Sequence, residues 1–548
     1  MRAEKGQAAK EAAVIRENTT STRTTDPVEP AAIHRMPSAD LINTLAGQRS
    51  WCVAVGHVLD VLSTIPDETF HCCATSPPYW GLREYGTEHQ AWHDGWLGSL
   101  GREPTPEMFI GHLVDVFREV RRVLRDDGVC WVNIGDSYNA YNRNRGASTS
   151  VSDGTRGRNH PEHSPGLMAS GLKPGDLCMI PHRLAIALQA DGWFVRQDMC
   201  WAKKSPMPES LNGWRWVRCR RKTKSPRQTD KSAGNGPDGP QSVMLTRADR
   251  EGRAEQPSSI PCPGCDKCRD TDGLILRRGS WRTTRAHEFI FQLTKSPQYF
   301  CDAQAVAEAV TGNAHARGHS GVHAKSHEQG TGVKQNDSFE STVRHLVQTR
   351  NPRSVVSFRN EPANWDFCLN CGTLYQGPDR KLVKTKRIKG KPVPVRICPT
   401  CKSTDSWVDH FATFPSALPE WCIKASTSEK GCCPECGAQW ARIIEHERIA
   451  TRPGDKNAVD ESGKSNRDAQ RHVAVTKTIG WRPTCNCTDS DGKPFTPIEP
   501  LVLEPFCGSG RSIIAARAMN CRAVGIELNA KYAVLANALI GDDSPLFS

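Results

Sequence analysis

Residues 501–529, LVLEPFCGSGRSIIAARAMNCRAVGIELN, read as a short apolar strand, a glycine-rich turn, a helix and a second strand that ends on an acidic residue. In a doubly wound sheet such a turn lies where ligands bind, because glycines let the backbone come close and an acidic side chain can hold ribose hydroxyls. Gly508 and Gly510 are the close-approach positions and Glu527 the ribose contact. No lysine follows the glycines, so the phosphate-loop pattern GxxxxGK[ST] is not met. A nucleoside cofactor is favoured over a nucleoside triphosphate.

The same strand–helix–strand grammar recurs far upstream. FHCCAT (70–75) is a buried strand that breaks into Ser76-Pro77-Pro78-Tyr79-Trp80. Ile110, Leu113, Val114, Phe117, Val120 and Leu124 line one helical face, which Asp127-Gly128 is expected to terminate, and VCWVNI (129–134) forms the next strand. A further helix (RLAIALQADG, 183–192) and strand (WFVRQDMCW, 193–201) follow. The pattern predicts an α/β fold: a doubly wound, mostly parallel sheet with small insertions. Polar, aperiodic stretches near 225–259, 311–350 and 450–480 read as flexible linkers, and the Thr- and Glu-rich residues 1–38 as a disordered tail.

Two successive prolines stiffen the turn after Thr75 and leave its carbonyls without partners of their own. The Ser76 hydroxyl and the Pro77 carbonyl could accept the two hydrogens of an aromatic amine and draw its nitrogen toward tetrahedral geometry. Tyr79 offers a face on which an extruded base can stack.

Together, SPPYW near one end and EPFCGSG near the other resemble the β-group of amino DNA methyltransferases, in which the catalytic motif precedes the cofactor motif. NIGDSY (133–138), IPHRLAIALQADGWFVRQDMCWAKKSPMPES (180–210), SWRTTRAHEFIFQLTKSPQYFCD (280–302) and HFATFP (410–415) are similar to phrases of phage and prophage members. The resemblance implies S-adenosyl-L-methionine as cofactor, double-stranded DNA as substrate, base flipping, and catalysis by Ser76, Pro77, Pro78 and Tyr79. It adds Glu504, Phe506, Phe411 and Phe414 to the cofactor-binding set, with HFATFP closing over the ligand. Two departures stand out: Glu504-Pro505 replaces the usual Asp-Pro, and Gly56-His57 replaces Gly-Asp. Serine at the head of the catalytic motif is typical of cytosine-N4 enzymes, and aspartate of adenine-N6 enzymes. Cytosine N4 is therefore the expected acceptor and adenine N6 the alternative. A C5 mechanism lacks its nucleophile, since the only Pro-Cys pair, Pro261-Cys262, opens a metal-like cluster. Two other readings stay open: a non-catalytic zinc-ribbon DNA-binding protein, and a methyltransferase acting on RNA or protein.

The chain has 23 cysteines, and many fall in CxxC pairs rather than in a disulfide framework of a short exported chain. Cys368, Cys371, Cys398 and Cys401 form a zinc-ribbon pattern, with Arg380, Lys381, Lys384, Lys386, Arg387, Lys389 and Lys391 between the knuckles. Cys433, Cys436, Cys485 and Cys487 form a second set, with Cys432 as a substitute ligand. Cys262, Cys265 and Cys268 need a fourth ligand: Cys219 is expected, with His287 competing. Closed thiolate sites are structural staples for segments too polar to fold alone. Arg215, Arg218, Arg220 and Arg221 are the expected DNA contacts, in keeping with a net charge of +12.

The expected organisation is a tail (1–38), a catalytic half (39–210), a Cys-rich basic DNA-recognition insertion (211–280), a core return segment with linker (281–365), a zinc ribbon (366–405), a cofactor-closing segment (406–430), a second knuckle (431–490) and a cofactor-binding half (491–548). No apolar run reaches membrane-spanning length, so a cytoplasmic, nucleoid-associated protein is expected. By analogy it would be a modification enzyme, with or without a cognate restriction endonuclease.

Overall fold

The computed structural model describes residues 38–81, 89–139, 172–206 apart from 174, 213–222, 259–309, 346–359 apart from 348, 365–376, 383–386, 395–408 apart from 405, 415–450 and 472–542, with single positions 87, 361 and 379. The expected tail, most of the linkers, and Phe411 and Phe414 lie outside these residues.

Among the described residues, eight strands form the central sheet: β1 (Trp51–Val55), β2 (Phe70–Thr75), β3 (Leu124–Ile134), β4 (Phe194–Ala202), β5 (His287–Thr294), β6 (Val355–Val356), β7 (Leu501–Glu504) and β8 (Arg522–Glu527). Their spatial order is β1-β8-β7-β2-β3-β5-β4-β6. Only β5 runs antiparallel to its neighbours. The central strands β2 and β7 are buried at every position, as two-sided coverage by helices requires.

One face carries α1 (Ala39–Leu45), α2 (Val58–Ser63), α3 (Pro106–Val123) and α4 (Ile180–Ala190). The other carries α5 (Ala417–Ser426), α6 (Arg511–Ala518) and α7 (Ala530–Asp542). In α3 the sequence supplies each terminus. Thr105 accepts from the Met108 amide at 3.2 Å, Pro106 occupies the first turn, and Arg121 and Arg122 sit at the carboxyl end of the dipole. Phe109, Leu113, Val116, Phe117 and Val120 bury the face that the apolar spacing marks.

Chain direction is what positions the site. From β2 the chain crosses by α3 to β3 on one side; from β7 it crosses by α6 to β8 on the other side and the opposite face. The sheet therefore reverses its winding between β2 and β7, which pair in parallel with Cys72 opposite Val502 and Cys73 opposite Leu503. That reversal opens a crevice beyond the strands' carboxyl ends.

Two sequence expectations need correction. Asp127-Gly128 does not end α3, which stops at Val123; both residues lie inside β3. Gly128 is needed because the strand bulges over Leu124, and a Cβ there would meet Leu124 Cγ at 2.8 Å. The stretch 450–480 is not all linker. His472–Pro483 pairs antiparallel with Trp440–Ala450 as a long ladder, in keeping with its β-branched run VAVTKTI. Leu346–Val347, expected in a linker, pairs with Val473 and Ala474.

Candidate active site and thiolate clusters

The turns at the crevice are joined directly. The Thr75 hydroxyl, at the end of β2, donates to Glu504 Oε1 at 2.5 Å, and the Ser512 hydroxyl of α6 donates to Oε2 at 2.5 Å. The Phe506 amide also donates to Oε1, at 3.2 Å. Burial pushes the Glu504 carboxyl up to about 8, and the two hydroxyls offset this only in part. A carboxyl that carries its proton near neutrality can be enclosed at small cost, and this one clamps the glycine turn to the end of β2. Its side chain is buried between the elements, so it positions the turn.

Glu527 ends β8 and accepts from the Gly508 amide at 2.8 Å and the Asn529 amide at 2.8 Å. Burial raises it to about 7 against the pull of those amides. Gly508 and Gly510 both have positive φ, 55° and 79°, and a Cβ on Gly510 would meet Ile540 Cδ1 at 2.9 Å. The glycines are thus required by backbone hand and by the packing of α7. Gly508, Gly510, Glu527 and Phe506 surround one turn with an acidic group at its rim, which fits a nucleoside cofactor.

In the loop after β2, Pro77 is buried while Ser76, Pro78 and Tyr79 are half-buried. The loop is braced from beneath: the Trp80 indole donates to the Glu103 carbonyl at 3.0 Å, and Gly101 leaves room for the Tyr79 carbonyl, which a Cβ would approach to 3.0 Å. Tyr79 is anchored at its hydroxyl, which donates to Glu288 Oε2 at 2.7 Å and accepts from Asn133 Nδ2 at 2.9 Å. Asn133 Nδ2 also reaches Ser76 Oγ (3.4 Å) and Glu288 Oε2 (3.1 Å), while Lys203 pairs with Glu288 Oε1. Asn133 is buried, and its Oδ1 has no partner among the described residues. Asn133 near the carboxyl end of β3, Lys203 just past β4 and Glu288 at the amino end of β5 come from three different strands, and sequence reasoning did not single them out. The available signal was position: each lies at the crevice end of its strand, the carboxyl end of β3 and β4 and the amino end of the antiparallel β5.

The three cysteine quartets assemble with the membership expected from spacing: Cys219, Cys262, Cys265 and Cys268; Cys368, Cys371, Cys398 and Cys401; Cys433, Cys436, Cys485 and Cys487. Within each, all four sulfurs lie within 4.8 Å of one another. Tetrahedral thiolates at about 2.3 Å from zinc are about 3.8 Å apart. The observed pairs fit: Cys219 to Cys265 3.8 Å, Cys265 to Cys268 3.7 Å, Cys368 to Cys401 3.6 Å, and Cys371 to Cys398 3.6 Å. Cys432 stands apart, its thiol directed at the Ile498 carbonyl, and His287 is a β5 residue opposite Ala202.

The quartets sit at different places. The Cys219 module interrupts the connection between the carboxyl end of β4 and the amino end of β5, both at the crevice end of the sheet. It is built from two short ladders, Arg215–Arg218 with Leu274–Arg277 and Arg220–Lys222 with Ser259–Pro261, and Arg215, Arg218, Arg220 and Arg221 are exposed. The Cys368 ribbon packs Trp365, Phe367 and Val408 on Leu535 and Leu539 of α7. The Cys433 knuckle docks at the opposite end of the sheet: its Gly437 carbonyl lies 2.9 Å from His71 Nε2, and Arg125 donates to the Cys436 carbonyl at 2.8 Å. His71 and Arg125 stand at the amino ends of β2 and β3, so this knuckle lies away from the reacting crevice and braces the core.

No helix among the described residues is long and apolar enough to cross a membrane. A family model described as DNA methylase, covering N6 and N4 methyltransferases, matches residues 70–433, more than half of the chain. The type II methyltransferase M.Cfr9I of Citrobacter freundii is 33% identical over 253 residues, 46% of this chain and 57% of that protein. M.SmaI of Serratia marcescens is 42% identical over 163 residues, 30% of this chain and 51% of that protein. The chain thus spans about half the length of the curated relatives it matches. Among solved structures, the PvuII DNA methyltransferase (cytosine-N4-specific) aligns over 90% of this chain and 93% of its own at 12% identity and a TM-score of 0.36, a likeness too loose to add to the sheet order above. On the strength of the family match, the chain is a member of the N6/N4 DNA methylase family.

Proposed function

We propose that the protein is an S-adenosyl-L-methionine-dependent DNA methyltransferase acting on an exocyclic base amine, with cytosine N4 preferred to adenine N6. The observation that carries this reading is the Thr75–Glu504 bond across the winding reversal, which joins the SPPY loop and the glycine turn at one crevice. S-adenosyl-L-methionine supplies an electrophilic methyl group; Gly508, Gly510, Phe506 and Glu527 would hold it, with Glu504 fixing their turn and Phe411 and Phe414 as closing contacts. Ser76 and the Pro77 carbonyl accept the amine hydrogens and make the nitrogen lone pair available. Tyr79 stacks the extruded base, its ring held by the bonds of its hydroxyl to Glu288 and Asn133. The nitrogen gains a methyl group and releases one proton.

Ser76 at the head of the loop supports cytosine over adenine. Arg215, Arg218, Arg220 and Arg221 would clamp duplex phosphates from the module at residues 211–280, and the other divisions of the chain follow the boundaries given above. Zinc in the three quartets would be structural, since four thiolates leave no position open for water or substrate. The relatives' designation as type II methyltransferases supports a modification enzyme of a restriction system; a phage origin draws no support from them.

The test is methyl transfer from labelled S-adenosyl-L-methionine to duplex DNA. Ser76→Ala should abolish transfer and leave DNA retention in a binding assay intact. Unchanged transfer would remove the assigned role of Ser76.

A further inference from the structure

The Cys219 module exposes three tryptophans: Trp214 at 67%, Trp216 at 55% and Trp281 at 71%. A single exposed aromatic needs no explanation, but three in one small module form an apolar surface of the kind that marks a contact site. Trp216 lies within the Arg215–Arg218 strand and Trp214 immediately precedes it, and both indoles are exposed. Trp281 joins them at the base, where its Cβ lies 3.4 Å from the Cβ position of Gly213 and the Gly213 amide donates to the Ser280 carbonyl at 3.0 Å. The Arg278 guanidinium lies 5.0 Å from the Trp214 ring centroid.

A chain of contacts runs from this face to the catalytic loop. Arg282, next to Trp281, places its guanidinium 3.5 Å from the Tyr138 ring centroid. Tyr138 follows three residues after Gly135, whose Cβ position is 2.6 Å from the Tyr79 ring. Arg285 reaches Asp136 at 3.5 Å, and Glu288, which holds the Tyr79 hydroxyl, lies seven residues beyond Trp281. The segment that carries Trp281 thus runs on into the residues around Tyr79, and the same module exposes Arg215, Arg218, Arg277 and Arg278. Indole faces with guanidinium groups around them suit stacked bases between phosphates.

We infer that Trp214, Trp216 and Trp281 form a wedge that stacks on bases of duplex DNA beside the target nucleotide and fills the gap left when that nucleotide rotates out. This rests on the DNA methyltransferase reading above. Extruding a base costs unstacking and unpairing, and the cost is lowest where the base is already unpaired. Stacking by the wedge offsets it.

The experiment uses the full-length protein and a duplex carrying the site mapped from plasmid DNA of cells that express it. One version is fully paired; the other has an abasic position opposite the target base. Trp214→Ala/Trp216→Ala should reduce kcat/KM on the paired duplex by about tenfold to a hundredfold, the scale of one lost base–aromatic stack. It should restore most of that loss on the abasic duplex, and Trp214→Phe/Trp216→Phe should stay near the unsubstituted protein on both. Retention of the Cys219 module is checked by metal content of the variants. Equal losses on the two duplexes would overturn the wedge and leave a groove contact. No loss on either, or a change of oligomeric mass with transfer unchanged, would overturn it in favour of a protein interface. Absence of transfer by the unsubstituted protein on any duplex would instead sink the functional reading itself.

Discussion

Replacing Glu504 by Gln should make the core less sensitive to alkali. In the folded chain the Glu504 carboxyl titrates near 8, against 4.5 for a free side chain, because it is wholly buried. A group whose folded value is raised contributes stability that is complete below the unfolded value and is lost as pH climbs through the folded one. At about 1.4 kcal/mol per unit, the whole span is worth about 5 kcal/mol, and the part between pH 6.5 and 8 about 2 kcal/mol. That upper window also avoids the opposing titration of His71, which burial and nearby Arg125 lower to about 4, so that its contribution is lost only as pH falls. Gln keeps one donor and one acceptor for Thr75 and Ser512 but has no proton to lose. Whole-chain unfolding of a long, multi-segment protein is not two-state, so the readout is hydrogen exchange of peptides spanning 501–527, corrected for intrinsic exchange. From pH 6.5 to 8.5 the unsubstituted protein should lose about thirtyfold in protection beyond the change seen in Glu504→Gln. Equal slopes in the two proteins would show that the carboxyl is not held neutral, and the clamp as described would be refuted.

Other outcomes follow from the same geometry. The purified protein should carry three zinc ions per chain, one for each quartet, and Cys398→Ser should lower the content by one in plasma emission analysis; a metal-free, active protein would contradict the structural role. Glu288→Gln removes the charge behind the Tyr79 hydroxyl bond and should reduce kcat by about tenfold to a hundredfold, the worth of a hydrogen bond to a charged group, with KM for cofactor little changed. A selective rise in that KM would place Glu288 on the cofactor side instead. Gly510→Ala forces a side chain into a left-handed position and against Ile540, and should weaken cofactor binding by roughly tenfold in titration calorimetry.

The parts of the fold legible in the sequence were those set by local chemistry. The apolar runs FHCCAT and LVLE are strands because they are buried on both faces, and the turn glycines had to be glycine because their φ is positive. The thiolate quartets could be grouped from spacing because CxxC knuckles constrain their own geometry, and Cys219 joined its set through a ladder that brings Arg220 opposite Pro261. What depended on distant partners stayed hidden. Gly128 looked like a helix stop, yet it serves a bulge over Leu124. His472–Pro483 gains its strand character by pairing across an intervening polar stretch. Asn133, Lys203 and Glu288 become a cluster only when β3, β4 and β5 lie side by side. Glu504 was marked through the resemblance as a carboxylate at the glycine turn, but its bond to Thr75 joins residues 429 positions apart.

The most direct test is the chemical identity of the methylated nucleoside. Plasmid DNA from cells expressing the protein is digested to nucleosides and compared by mass spectrometry with DNA from cells expressing Ser76→Ala. The account predicts N4-methylcytosine with the unsubstituted chain and none with the variant. N6-methyladenine alone would move the acceptor to adenine, and 5-methylcytosine, or no methylated base at all, would contradict the amine-directed mechanism.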